Sequence, residues 1–109
     1  MKPFPVLLLT LALVPGAAAG GEIYGTIKEN GKPVKPGLKV TVTCGGKDVS
    51  ADTDKNGGYR LFASEEGKCT LTVRVGDESP SAVVHSYADS ARYNLVLERK
   101  DGKATLRTE

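Results

Sequence analysis

Two cysteines, each at the end of a run of alternating apolar and polar residues, constrain the fold more than any other feature of this sequence. Residues 38–44 place every second side chain on an apolar face that ends in Cys44, and residues 69–75 begin such a face with Cys69. A period of two is typical of β-strands that are buried on one side. If the two strands are antiparallel neighbours, both sulfurs face the core at the same edge. We therefore predict a Cys44–Cys69 disulfide.

The first 19 residues have the features of a signal peptide. Lys2 precedes an apolar run over residues 6–14, and three alanines at 17–19 supply the small residues that a signal peptidase requires. A membrane span needs about 20 apolar residues, so a retained anchor is the less favoured alternative. We predict cleavage near Ala19–Gly20 and export to the periplasm or the extracellular space. Cysteines normally pair in such oxidising compartments.

The charge of the remaining chain argues against nucleic-acid binding. Without Lys2 the sequence carries 14 basic and 13 acidic residues, a formal net charge of +1. A nucleic-acid-binding domain is expected to present a strongly basic stripe. The sequence also contains no tryptophan, so the core must be built from valine, leucine, isoleucine and a few tyrosines.

Periodicity predicts an all-β domain over residues 20–99. Alternating runs separated by Gly, Pro, Asn and Asp are typical of a sandwich or barrel. The predicted strands cover residues 22–28, 38–44, 48–53, 58–63, 69–75, 82–87 and 91–98. The third of these is polar, which favours a place near a sheet edge. In the polar tail over residues 100–109, Asp101-Gly102 is a hairpin signal, and residues 104–108 are a candidate for a short edge strand.

Several motifs resemble those of carboxypeptidase regulatory-like domains. The opening strand Glu22-Ile23-Tyr24-Gly25-Thr26-Ile27, the turn Gly31-Lys32-Pro33-Val34 and the hairpin Thr53-Asp54-x-x-Gly57-Gly58-Tyr59-Arg60-Leu61 are similar to theirs in order and spacing. The resemblance implies a seven-stranded Greek-key β-sandwich of the transthyretin (prealbumin) type, with strands 38–44 and 69–75 adjacent. Members of this family are mostly accessory or interaction modules. The family name implies no peptidase activity for this chain.

Two motifs have catalytic or metal-binding potential, but their surrounding residues do not favour either function. Residues 52–57 copy the first half of a calcium loop, but the twelfth position is Ala63, which cannot supply the required carboxylate. His85 is the only histidine, and no nucleophile-elbow pattern surrounds Ser86 or Ser90. The transthyretin-related hydroxyisourate hydrolases, which share this fold class, use several His and Arg residues that the chain does not match. We predict no catalytic residue, no metal site and no cofactor.

A binding surface is the remaining functional hypothesis. Strand parity leaves Tyr24, Phe62 and Val84 outside the core, and Tyr87 lies at the end of a predicted strand. Scattered exposed apolar residues are normal, whereas a cluster of them would mark a contact surface. Our first hypothesis is a non-catalytic exported module that binds a protein or envelope component. Carbohydrate binding ranks second and a small hydrolase third, the last requiring a cleft that holds His85 with Asp77 or Asp89.

Overall fold

The computed structural model describes residues 20–109, which form two β-sheets packed face to face. The predicted signal peptide, residues 1–19, lies outside the described residues. The strands are β1 (Glu22–Glu29), β2 (Lys32–Pro33), β3 (Lys39–Cys44), β4 (Lys47–Asp52), β5 (Gly58–Phe62), β6 (Gly67–Val73), β7 (Ser81–Ser86), β8 (Ala91–Arg92), β9 (Leu95–Lys100) and β10 (Lys103–Thr108). No helix of the length and hydrophobicity needed to cross a bilayer occurs among residues 20–109.

The four-stranded sheet has the order β4-β3-β6-β7, with antiparallel pairing throughout. β3 and β6 are adjacent, as expected, and Val42 lies opposite Leu71. One step beyond the pair Thr43–Thr70, Cys44 and Cys69 form a disulfide with their Cα atoms 4.5 Å apart. Both cysteines are buried. The predicted disulfide is therefore confirmed, and it is consistent with folding in an oxidising compartment.

The six-stranded sheet is built around β1. β5 pairs antiparallel with the first part of β1, while β8 and β9 pair parallel with it on the opposite side. Between β8 and β9 the ladder is interrupted, because the Asn94 side chain accepts a hydrogen bond from the Thr26 backbone in place of a strand contact. β10 pairs with β9 along its whole length. Residues 103–108 therefore extend the sheet as an edge strand.

Three two-residue turns close hairpins in the described chain. Asn30-Gly31, Gly45-Gly46 and Asp101-Gly102 connect β1 to β2, β3 to β4 and β9 to β10. The first residue of each has a positive φ, which is 54° at Asn30 and 53° at Asp101. Asn and Asp tolerate this region better than other residues with a side chain, and such turns match the right-handed twist of paired strands. The hairpin signals in the sequence were thus reliable.

The prediction of seven strands is wrong in its count. All seven predicted strands are present with shifted ends, but the chain contains ten strands within residues 20–109. The last predicted strand is divided at Tyr93 and Asn94 into β8 and β9. There the side-chain oxygen of Asn94, instead of a backbone carbonyl, accepts the hydrogen bond from the Thr26 N–H on β1. The other additions are the short β2, where a turn was expected, and β10 in the tail. The coarser prediction of an all-β sandwich is confirmed.

Val84 was placed on the outer face, and the structure buries it completely. The reason is its register, because Val84 lies opposite Cys69 on β6. Directly opposed residues share one face of a sheet, and Cys69 faces the core. The buried hydrophobic residues come from both sheets: Ile23, Ile27, Val34, Leu38, Val40, Val42, Cys44, Tyr59, Leu61, Ala63, Cys69, Leu71, Val73, Val84, Leu95, Leu97 and Leu106.

Candidate functional site

The outer surface of β1 and β5 carries two of the predicted binding residues together. Tyr24 lies opposite Arg60, and Glu22 lies opposite Phe62. All four side chains therefore project from the solvent side of the six-stranded sheet. The Phe62 side chain is 59% exposed, and the Arg60 guanidinium lies 5.9 Å from the centre of its ring. Tyr24 and Phe62 are diagonal neighbours on this surface.

β8 adds a second arginine to this surface. Arg92 lies opposite Tyr24 on the side away from β5, so Tyr24 is flanked by Arg60 and Arg92. Glu22 forms an ion pair with Arg60 and accepts a hydrogen bond of 2.9 Å from the Ser90 hydroxyl. We call Glu22, Tyr24, Arg60, Phe62 and Arg92 the Tyr24 face. Aromatic residues and arginine are the types enriched at protein interfaces.

An open cleft of about 590 Å³ borders the Tyr24 face, and Asp52 and Asp54 contribute to its lining. Asp54 Oδ1 accepts hydrogen bonds of 2.8 Å from the backbone N–H groups of Gly58 and Asn56. These bonds lower the pKa of Asp54 from its ordinary value, with a smaller contribution from Lys55. The carboxylate is thus used to close the turn between β4 and β5.

This turn explains the calcium-like motif without a metal. The first half of the motif supplies a side-chain cap for the hairpin rather than a set of converging ligands. Within residues 20–109 no three His, Cys, Asp or Glu side chains come together as a metal site.

Tyr87 follows the four-stranded sheet and does not lie on β1, β5 or β8. It follows β7, where Val83 and His85 project outward from the four-stranded sheet. Tyr87 is 54% exposed, and its ring stacks on His85 with centroids 6.3 Å apart. The four predicted surface residues therefore divide into Tyr24 and Phe62 on one sheet, Tyr87 on the other, and Val84 in the core.

A second cleft, of about 770 Å³, lies at the other end of β1 and was not anticipated from the sequence. Its floor includes Val34, Leu38 and Leu97. On its rim Arg99 pairs with Glu29 at 3.0 Å and approaches Glu78 to 3.8 Å. Glu78 also accepts a 2.7 Å hydrogen bond from the Ala104 backbone. These charges tie β1, β9, β10 and the turn after β6 together, and sequence spacing carries no signal for such a set.

Two of the groups named for a hydrolase lie on different parts of the sandwich. Asp77 lines the 770 Å³ cleft, whereas His85 lies on the exposed side of β7. The Ser90 hydroxyl is bonded to Glu22, and the Ser86 hydroxyl is buried without a hydrogen-bond partner among the described residues. The structure thus places Asp77, Ser86 and Ser90 in three different surroundings.

Comparison with protein families and with curated protein sequences found no match to this chain. Among solved structures, the chain is similar to a DUF3823 family protein from Parabacteroides merdae, with a TM-score of 0.57 and 14% sequence identity. The similarity covers 84% of this chain and 46% of the other, so this chain spans less than half the length of that protein. At this identity the likeness shows the shared β-sandwich fold alone.

Proposed function

We propose that this chain is a non-catalytic, exported module that binds a protein or another envelope component through the Tyr24 face. The observation that carries the proposal is the grouping of the half-buried Tyr24 and the exposed Phe62 with Arg60 and Arg92 on one outward-facing surface. Contiguous surface of this composition marks an interaction site more often than single exposed apolar residues do. The motifs that resemble those of carboxypeptidase regulatory-like domains, a family made up mostly of accessory modules, are in accord with this role.

Export is part of the proposal. The apolar segment and the small residues at 17–19 support cleavage before Gly20, and the disulfide supports an oxidising destination. We expect mass spectrometry of the protein recovered from the cell envelope or the medium to give a chain that begins at Gly20. Recovery of the full chain from the cytosol, with free cysteines, would contradict export.

Partner capture with surface variants tests the binding function. The variant Tyr24→Ser/Phe62→Ser removes both aromatic side chains of the Tyr24 face, while Val83→Ser/Tyr87→Ser removes exposed apolar groups from the other sheet. We expect the wild-type protein and the second variant to capture the same partner from an envelope extract, and the first variant to capture at least tenfold less. Equal capture by both variants would reject the Tyr24 face.

Carbohydrate binding is the second candidate, supported by the exposed Tyr87 ring beside His85. Exposed aromatic rings are the groups on which sugar rings stack. A glycan array with the same two double variants separates the candidates. Glycan binding that is lost in Val83→Ser/Tyr87→Ser and retained in Tyr24→Ser/Phe62→Ser would favour carbohydrate recognition over protein binding.

A further inference from the structure

β5 has one free edge. It pairs with β1 on one side and with no other strand among the described residues. The hydrogen bonds from Ala63 N to Gly21 O (3.1 Å) and from Ile27 N to Gly57 O (2.9 Å) show that odd-numbered residues turn their backbone groups toward β1. The alternation of an antiparallel ladder then turns the even-numbered residues Gly58, Arg60 and Phe62 outward.

Only part of this edge is satisfied within the chain. Gly58 donates to Asp54 Oδ1 at 2.8 Å, and its carbonyl accepts from the Asp54 N–H at 2.9 Å. Arg60 and Phe62 are hydrogen-bonded to no strand on that side, so two N–H and two C=O groups of β5 lack a strand partner. Unpaired backbone groups of this kind form a template for an added strand.

The other free edges are less suited to this role. On β7 the Tyr93 hydroxyl accepts from the His85 N–H at 3.0 Å and donates to the His85 carbonyl at 3.1 Å. The His85 N–H and C=O groups at the end of that edge are therefore already hydrogen-bonded. The exposed residues of β4 and β10 are small, polar or charged. β5 is the edge strand whose free backbone groups lie beside a large exposed aromatic side chain, Phe62.

The charge beside the β5 edge selects the kind of strand that fits. Asp52 and Asp54 line the adjoining cleft, and neither takes part in a salt bridge among the described residues. Glu22, the third acid of the cleft, is already paired with Arg60. The Asp52 carboxylate and the second oxygen of Asp54, whose Oδ1 closes the turn, thus remain available to cationic side chains of a partner. Complementary charge fixes the register of a bound segment.

We propose that an extended segment of a partner protein, with lysine or arginine at alternate positions, adds to the free edge of β5 as a further strand. The backbone of this segment forms hydrogen bonds with the outward N–H and C=O groups of Arg60 and Phe62. Side chains of such a strand alternate between two faces, so its basic residues lie over the cleft at Asp52 and Asp54, and their aliphatic stems contact Phe62. This inference rests on the proposed function and specifies how the partner is bound.

Two synthetic peptides test the inference with the exported, oxidised protein. The first is Thr-Lys-Val-Lys-Val-Lys-Thr, and the second replaces each lysine by glutamate. We expect the lysine peptide to bind at least tenfold more tightly in a titration followed by backbone amide NMR, with slowed exchange of the Arg60 and Phe62 amides. Asp52→Asn should weaken binding of the lysine peptide, because it removes a charge that lines the cleft.

Proline substitutions isolate the backbone bonds. Phe62→Pro removes an outward N–H that has no partner strand, and Phe62→Ala is the matched control for loss of the ring. We expect Phe62→Pro to bind the lysine peptide roughly three- to tenfold more weakly than Phe62→Ala, the effect of about one hydrogen bond. Val83→Pro, at the corresponding outward position of β7, should bind as the wild type does. If Phe62→Pro fails to fold, N-methylation of the peptide's alternate amides provides the same comparison.

Three results would overturn the inference: equal affinity for the two peptides, equal affinity of Phe62→Pro and Phe62→Ala, or a dimer of the free protein formed through β5. A second copy would bring Asp52 and Asp54 of both chains together, which is why a basic partner is favoured. Capture of an envelope partner without peptide binding would retain the proposed function and reject strand addition. Peptide binding without a captured partner would support strand addition and count against the function.

Discussion

Two buried hydroxyl groups make opposite contributions to the fold. Thr53 Oγ1 donates to the Lys35 carbonyl and accepts from the Leu38 N–H, both at 2.9 Å. Ser86 Oγ is equally buried but has no partner among the described residues. A buried polar group stabilises a fold only when it is hydrogen-bonded. The Thr53 hydroxyl therefore stabilises the segment between β2 and β3. Burial of the Ser86 hydroxyl costs desolvation free energy that no hydrogen bond offsets.

We expect Thr53→Val to lower the free energy of unfolding by about 1–3 kcal/mol, because the Leu38 N–H loses its partner. Ser86→Ala should leave stability unchanged or raise it by up to about 1 kcal/mol. Urea unfolding followed by circular dichroism measures both variants. A loss of stability in Ser86→Ala as large as that in Thr53→Val would show that the serine hydroxyl has a partner in solution.

Tyr59 links the core to the interruption between β8 and β9. Its hydroxyl donates a 2.6 Å hydrogen bond to the Tyr93 carbonyl, and that carbonyl lies where a side chain on Gly25 would have to sit. Burial raises the pKa of Tyr59 well above its ordinary value. Glycine at position 25 is thus required by the close approach of two backbone segments.

The raised pKa of Tyr59 predicts a dependence of stability on alkaline pH. The folded state holds the phenol proton more tightly than the unfolded state, so this contribution is complete below about pH 10 and is lost as the pH rises further. We expect the urea midpoint of the wild type to fall more steeply than that of Tyr59→Phe between pH 9 and pH 11.5. Parallel curves for the two proteins would mean that Tyr59 titrates normally.

At the scale of an element, β10 shows how an edge strand is stabilised by one side chain. Leu106 is buried and lies opposite Leu97 on β9. The neighbouring Arg107 is exposed and pairs with Glu98 at 3.3 Å. A two-stranded hairpin is marginal by itself. The strand therefore depends on Leu106 to attach it to the core.

Leu106→Ala should lower the free energy of unfolding by about 2–3 kcal/mol, since it removes a buried side chain and leaves a cavity. Arg107→Ala is the matched control, and an exposed ion pair contributes at most about 1 kcal/mol. Thermal and urea unfolding provide the comparison, and amide exchange across residues 103–108 reports local opening. Equal effects of the two substitutions would indicate that β10 is held by its backbone bonds alone.

The whole molecule is constrained by its disulfide, which acts on the unfolded chain as much as on the sandwich. Cys44 and Cys69 are 25 residues apart in sequence, and closing such a loop stabilises the fold by about 3.5 kcal/mol in the chain-entropy description. Typical domains of this kind have about 5–15 kcal/mol in total. The bond thus represents a large share of the stability of a small sandwich.

We expect Cys44→Ala/Cys69→Ala to lose about 2–4 kcal/mol relative to the oxidised wild type. The reduced wild type is the control. Its urea midpoint should lie close to that of the double variant, because both proteins lack the Cys44–Cys69 cross-link. A double variant as stable as the oxidised protein would show that β3 and β6 pair equally well without the bond.

Much of this fold could be predicted from local patterns. Alternation identified β3 and β6 with their buried faces, and Asp101-Gly102 marked a hairpin that the structure contains. The disulfide followed because parity put both cysteines on apolar faces. The same reasoning placed Val84 on the wrong side of its strand. Val83 and Val84 are adjacent in sequence, and alternation alone does not show which of them faces the core. The opposition of Val84 to Cys69 on β6 decides the matter.

The candidate site was predictable only in part. Parity placed Tyr24 and Phe62 on the outer face, where the first is half-buried and the second exposed. The two arginines that flank Tyr24 come from β5 and β8 through pairings with β1. The free edge of β5 and the cleft at Asp52 likewise have no counterpart in any sequence motif. Each depends on which strands are neighbours and which edges are left over when the two sheets have formed.

By itself, the sequence determined the strand-forming runs, the turns and the all-β class, because these depend on residues within a few positions of one another. The cysteine pair followed because the same local alternation placed each cysteine on an apolar face. Only the tertiary structure decided the inward side of β7, the composition of the Tyr24 face and the open edge of β5. These features depend on the register between distant segments, such as Thr26 and Asn94, which are 68 residues apart. Such register is set by the packing of both sheets around one core.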